Sequence, residues 1–187
     1  FPYTTLFRSQ QAPQLETEHL ILKQYTLEDF PALKECWATP EMVKINGGEK
    51  PTAETVWARL LRDIGHWQML GYGYWAVFEK STNRYAGSFG FMNAHREITP
   101  ALEYPEAGWT LMPEVRGKGY AAEALGAILQ WADETFSSPV CCIIDEENKR
   151  SNYLAERFGF QFQDNVNYRG KQIRLLVRQK TLPQPPQ

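Results

Sequence analysis

The chain has 187 residues, 43% of them hydrophobic, with 20 Lys+Arg against 22 Asp+Glu and a formal net charge of -2. That allows one ordinary domain with a sizeable core, and it lacks the basic field of a nucleic-acid binder. No apolar run reaches the ~18 residues of a membrane-spanning helix. Cys36, Cys141 and Cys142 are too few for a disulfide framework, and His19, His66 and His95 lack ligand spacing. We therefore expect a reduced, cytoplasmic protein with no metal and with neither nucleic acid nor membrane as a partner.

Taken in order, Phe1 to Ser9 (FPYTTLFRS) reads as an adapter-like artefact, and residues up to Gln14 read as linker. A single domain is expected over residues 15–180, with a proline-rich tail from 181 to 187. Leu15 to Tyr25 alternates as a strand does, with Leu20 and Leu22 on one face. Thr26, with Asp29 three residues on, makes a near capping box for a helix carrying Phe30, Leu33 and Trp37, which Thr39-Pro40 ends. Glu41 to Pro51 holds Gly47-Gly48 and is expected to be a mobile loop. Thr52 opens a second helix with Val56, Leu60, Ile64 and Trp67 on one stripe. Tyr74 to Glu79 and Tyr85 to Met92 read as a hairpin, and Asn93 to Pro105 as a longer connection containing His95, Arg96, Glu97, Glu103 and Tyr104.

The stretch Glu106 to Ala122, EAGWTLMPEVRGKGYAA, is the most informative. Ala107 to Met112 reads as a buried strand stopped by Pro113, which cannot donate to a sheet ladder. Gly117 and Gly119 then lead into a helix over Tyr120 to Phe136. The first N–H groups of a helix have no internal acceptor and the macrodipole places partial positive charge there, so a strand, a glycine turn and a helix start make an anion site. Arg116 and Lys118 add mobile charge. Gly117-x-Gly119-x-x-Ala122 also fits the dinucleotide fingerprint, with Asp145 where a ribose-binding acid would sit. That fingerprint normally opens a doubly wound domain, and here more than half the chain precedes it without an alternating βαβ pattern.

Ser137-Ser138-Pro139 ends the helix, and Val140 to Ile144 is an apolar strand of the fully buried type. Asn148 to Phe158 reads as a helix with Gly159 as its cap. Gln161 to Asp164 and Gln172 to Arg178 complete the sheet around a turn at Asn167 to Gly170.

The spacing R-x-x-G-x-A from Arg116 to Ala121 follows a strand with Glu106-x-Gly108. Together with Asn148-x-x-Ser151 and Arg157-Phe158-Gly159-Phe160, it resembles the GCN5-related N-acetyltransferase (GNAT) family. More narrowly it resembles the ribosomal-protein N-terminal acetyltransferase (RimJ/RimL-like) branch, over roughly Leu15 to Lys180. The resemblance implies an α+β fold: a mixed, mostly antiparallel sheet of six to seven strands flanked by about four helices. A cleft for acyl-CoA would splay open between Ala107 to Met112 and Val140 to Asp145.

It implies acetyl-CoA as cosubstrate and a primary amine as acceptor, either a peptide N-terminus or a small molecule, in a monomer or homodimer. The pantetheine arm would run along Trp109 to Met112, with Leu111, Met112, Arg116, Gly117, Lys118, Gly119, Tyr120, Ala121 and Asn148 as coenzyme contacts. Glu106 is the candidate base, acting through water; the alternative is a solvated edge residue or a partner for a nearby cation. Many relatives carry a tyrosine seven residues after the helix asparagine, where this chain has Ala155. Tyr153 lies about 200° round the helix from Ser151. Ser151 is therefore the candidate to protonate or orient the thiolate, a role that competes with hydrogen bonding inside the first helical turn. Glu97, Glu103 and Glu106 hint at a cationic acceptor. The alternative is a CoA-binding or regulatory module without turnover.

Overall fold

The computed structural model describes residues 11–181; the adapter-like reading of Phe1 to Ser9 and the tail from Leu182 lie outside the described residues. The elements run β1 (Leu15–Glu16), β2 (Leu20–Gln24), α1 (Phe30–Trp37), α2 (Pro40–Ile45), α3 (Ala53–Leu70), β3 (Tyr74–Glu79), β4 (Tyr85–Met92) and β5 (Glu106–Leu111). They continue through α4 (Tyr120–Thr135), β6 (Val140–Ile144), α5 (Lys149–Arg157), β7 (Gln161–Tyr168) and β8 (Lys171–Arg178). One eight-stranded sheet has the order β1-β2-β3-β4-β5-β6-β8-β7. Every pairing is antiparallel except β5 with β6. The layout is the expected α+β one, with eight strands and five α-helices among the described residues.

Helices cover both faces. On one, Leu33 and Cys36 of α1 and Val56 and Leu60 of α3 pack with Ala76, Phe78 and Tyr85. On the other, Ala124, Leu125, Ile128 and Leu129 of α4 pack with Trp75, Val77, Phe89 and Phe91. Period-2 alternation along β3 explains the division: Trp75 and Val77 belong to one cluster, Ala76 and Phe78 to the other. Trp67 and Trp75 are fully buried, edge to face at 4.6 Å, and each indole N–H reaches a backbone carbonyl, of Tyr74 and Pro13 respectively. That satisfies the polar atom that would otherwise make a buried Trp costly. No described helix is long and apolar enough to cross a membrane.

Three local expectations are corrected. Leu15 to Tyr25 is two strands, because the chain reverses at Thr17 to His19. Thr17 Oγ1 bonds Glu123 of α4, and the His19 N–H donates to the same carboxylate at 2.7 Å. Glu41 to Pro51 is only partly loop. Pro40, whose missing N–H is no loss in a first turn, opens α2, and the irregular part begins after Ile45. The strand expected over Gln161 to Asp164 runs on to Tyr168, so the reversal into β8 is just Arg169-Gly170. Asn148 and Thr52 cap their helices as their residue types suggest, each side chain accepting a backbone N–H three residues on. After α5 the N–H of Phe160 bonds Ala155 O and that of Gly159 bonds Glu156 O, the paired closure of a Schellman end.

Candidate active site

The sheet is split at β5 and β6. These parallel neighbours meet only at Glu106 and Cys141, where the Cys141 N–H donates to Pro105 O at 3.0 Å. Beyond that point β6 stays with β8 over five paired residues, while β5 stays with β4 over six. The edge of β5 from Ala107 onward is thus left without a strand partner. Successive backbone groups alternate sides along a strand. The Met112 N–H donates to Ala86 O of β4 at 2.8 Å, so Gly108, Thr110 and Met112 turn their polar groups toward β4, and Trp109 and Leu111 turn theirs into the split. This corrects the pairing expected for the arm: Met112 is spent on β4, and Trp109 with the Leu111 N–H borders the gap. The Leu111 carbonyl is taken as well, by the Arg116 guanidinium at 3.1 and 3.3 Å.

At the open end a 3-10 turn, Pro113–Val115, leads to Gly117 at φ +80° and Gly119 at φ +81°, the latter capping α4. Both angles lie in the left-handed region that glycine enters without strain. A Cβ on either would meet nothing within 4 Å, so the space over the turn is open. Among the described residues no protein group accepts a hydrogen bond from the N–H groups of Gly117 to Ala122. The turn therefore presents a row of unpaired donors at the positive end of a 16-residue helix, which fits a diphosphate.

The cations beside it are not free. Arg116 pairs with Glu41 of α2, which also lies 3.9 Å from Arg150 of α5, across the mouth of the split. Lys118 Nζ sits 2.7 Å from Glu79 Oε1, which the Tyr120 hydroxyl also donates to at 2.7 Å; the Thr82 hydroxyl donates to Oε2 at 2.6 Å. Those donors, Lys118 first, hold the Glu79 carboxyl down from 4.5 to about 2. The same contact with Glu79 pushes the Tyr120 phenol up to about 12. Tyr120 is thus a buried brace below the turn, and Ala121 is half-buried against the core.

At the closed end Glu106 is buried, and both its oxygens accept from Arg96, Nε at 2.6 Å and Nη2 at 2.9 Å. Arg96 Nη1 donates to the Tyr168 hydroxyl at 2.8 Å, so β5, the 93–105 connection and β7 are locked together at the vertex. Burial works against the guanidinium charge, but the Glu106 contact outweighs it and raises the Arg96 pKa above its ordinary value. A hollow of about 250 Å³ beside this pair is lined by Met92, His95, Arg96, Leu102 and Glu106. A larger hollow, about 410 Å³, is lined only by α3 residues from Glu54 to Arg62 and holds none of the site residues. Glu97 and Glu103 are exposed, whereas Glu106 is buried and paired with Arg96.

On α5 the Asn148 side-chain carbonyl accepts the Ser151 N–H at 3.1 Å, which leaves only the amide NH₂ of Asn148 to face an arm. Ser151 is half-buried, and among the described residues its hydroxyl has no protein partner, so the competing intrahelical role falls to its backbone N–H. Ala155 is fully buried and Tyr153 is 69% exposed, so neither can stand where a leaving group would need a phenol. Glu106 and Ser151 share no hydrogen bond. Glu41, Glu79 and the Arg96 pairing were missed from sequence. Their partners lie 75, 39 and 10 residues away, and nothing local marks them.

Comparison with known proteins fits this geometry. The model of the acetyltransferase (GNAT) domain matches residues 19–161. The uncharacterized N-acetyltransferase YoaA of Bacillus subtilis (strain 168) is 24% identical over 151 residues, covering 80% of this chain and 83% of its own length. The acetyltransferase of Agrobacterium tumefaciens str. C58 superposes with a TM-score of 0.76 at 26% identity, covering 89% of this chain and 94% of that one. RimL, a ribosomal L7/L12 α-N-protein acetyltransferase solved in complex with coenzyme A, shares the fold with a TM-score of 0.72 at 17% identity, covering 89% and 98%. With the family model spanning well over half the chain, the chain belongs to the GNAT acetyltransferases.

Proposed function

We propose that the chain transfers an acetyl group from acetyl-CoA to a primary amine by direct attack, with a protein N-terminus as the leading acceptor class. The observation that carries this reading is the split between β5 and β6 opening onto unpaired turn amides. The amides of Gly117 to Ala121 would hold the diphosphate, with Arg116 and Lys118 beside them. Trp109 and Leu111 would pair with the arm, and Asn148 would offer its NH₂. Acetyl-CoA supplies an acyl group activated as a thioester. The amine nitrogen forms the N–C bond, the C–S bond breaks, and the proton that the nitrogen loses passes on through water to the leaving thiolate, which the Ser151 hydroxyl on α5 would orient by a hydrogen bond.

An α-amine, with a reference pKa of about 7.7–8.0, is neutral in a useful fraction near pH 7, whereas a lysine amine at about 10.4 is not. Such an acceptor demands little of a base. Glu106 enters as the carboxylate that receives the amine proton through water. Its two-point contact with Arg96 favours a second reading, in which it serves only to anchor Arg96. Glu106→Gln separates these: the base reading expects kcat to fall with a defect that shrinks at higher pH, the anchor reading expects lost stability and a pH-independent defect.

Incubation with acetyl-CoA and a panel of peptides and small amines, read by thiol release and by acceptor mass shift, tests the reaction itself. Calorimetric binding of CoA with no thiol release on any acceptor would favour a binding module, as the missing phenol at Ala155 suggests.

A further inference from the structure

Tyr74 of β3, Gly90 of β4 and Gly108 of β5 stand in one cross-strand row, Tyr74 opposite Gly90 and Gly90 opposite Gly108. A Cβ on Gly108 would sit 1.9 Å from the Tyr74 hydroxyl oxygen, and one on Gly90 would sit 2.4 Å from the Tyr74 Cα. The phenol therefore lies flat across β4 and delivers its hydroxyl onto β5. Gly90 leaves room for the Gly73–Tyr74 backbone and Gly108 for the hydroxyl, and any side chain at Gly108 would close that space. Among the described residues the hydroxyl has no protein hydrogen-bond partner, and it is not among the buried unpartnered polar atoms, so it keeps contact with solvent while its ring is packed against the α1 and α3 side of the sheet. A phenol held in the sheet with its one polar atom unpaired and still accessible is open to an acceptor on a ligand.

Its destination is specific. Glu106 marks the vertex of the split, and Gly108 is the next residue of β5 on the same face. The hydroxyl thus stands beside the first stretch of β5 edge that β6 does not cover, between Ala107 and Trp109. Resting on the acetyl-transfer reading above, we propose that the Tyr74 hydroxyl is a catalytic hydrogen-bond donor to the acyl carbonyl oxygen. It would stabilise the negative charge that develops there as the amine adds.

Burial, and after it the negative charge of Glu106, raises the Tyr74 phenol well above its ordinary value, so it stays protonated wherever the enzyme works. That also assigns the kind of chemistry. An alkyl thiol has a reference pKa of about 8.5, so a phenol this weak would not surrender its proton to the leaving thiolate, and it serves as a fixed donor.

The test is the infrared carbonyl band of [1-¹³C]acetyl-CoA bound to the protein, which needs no acceptor. In the wild type the band is expected below its position in free solution, and in Tyr74→Phe it should move back toward that position. A band shifted equally in both proteins overturns the role of Tyr74 and leaves acetyl-CoA binding intact. No bound band in either overturns both this proposal and the function it rests on.

With an accepted amine, Tyr74→Phe should lower kcat by about 10²-fold, the cost of removing one oxyanion donor. The acetyl-CoA KM should hold within about twofold, since the contact strengthens only in the transition state. Thermal stability should be unchanged, because the hydroxyl holds nothing in the protein. Gly108→Ala should reproduce the kcat loss in the wild type and add little in the Tyr74→Phe background, where the nearest ring atom is 3.1 Å from the new methyl. Equal losses from Gly108→Ala in both backgrounds would show that the glycine protects something other than the hydroxyl, and would overturn the proposal.

Discussion

The two ends of the split use charge in opposite ways. At the vertex Glu106 and Arg96 expose only 8% and 22% of their side chains and meet at two points, with Tyr168 closing the remaining donor. At the mouth Arg116 and Glu41 expose 28% and 35%, Lys118 48%, and each cation leans on a single carboxylate from a distant element. The vertex is built to stay shut. At the mouth, the carboxylates hold cations in place without satisfying the turn amides, so an arriving diphosphate can compete for both. Buried pairs resist exchange because either partner left alone is costly, while half-exposed pairs are screened and weak.

Breaking the vertex should have the largest effect. Arg96→Met leaves Glu106 buried without its donors, and we expect a loss of about 3–5 kcal/mol in chemical denaturation. Restoring neutrality with Glu106→Gln in the same background should recover part of that loss. A single variant with wild-type stability would mean the vertex is no firmer than the mouth.

At the mouth the sharpest lesion is a like charge on the turn. Gly119→Asp should raise the acetyl-CoA KM about tenfold or more, equivalent to about 1.4 kcal/mol or more of binding. Gly119→Asn, with the same backbone strain and no charge, should raise it much less. Equal effects would assign the defect to strain at φ +81° and not to the anion site.

Glu79 adds a pH signature. Its folded pKa of about 2 lies below its ordinary 4.5, so the carboxylate contributes stability that is fully present above pH 4.5 and is lost as pH falls toward 2. Wild-type stability should therefore drop across that window, and Glu79→Gln should flatten the drop while starting lower at neutral pH. Denaturant midpoints measured from pH 5 to pH 2 check the sign.

The sequence exposed what is local and hid what is long-range. The turn was legible because two glycines and a helix start lie within a few residues. β6 was legible because Val140 to Ile144 is an unbroken apolar run. The opening between β5 and β6 came only from the resemblance, since a strand's missing partner leaves no mark on the strand. The division of β1 from β2 depends on Glu123, 104 residues from His19, and no pattern near Thr17 announces it. The room for Tyr74 was hidden for the same reason: nothing near Gly90 or Gly108 in the sequence tells what their missing side chains make space for until β3, β4 and β5 are aligned.

The smallest effect tests how loosely the mouth is held. Glu41 sits on α2 and engages Arg116 on one flank of the split, with Arg150 3.9 Å away on the other. Arg116 also donates to the Leu111 carbonyl, so removing the Glu41 charge should leave the guanidinium in place but with its charge unspent. Glu41→Gln should then tighten acetyl-CoA by about two- to threefold, within the 0–1 kcal/mol range of exposed pairs, and the gain should fade as salt rises. Titration calorimetry at low and high ionic strength reads both. Weaker binding in the variant would make Glu41 a strut that shapes the mouth, and the contrast with the vertex would then be one of degree.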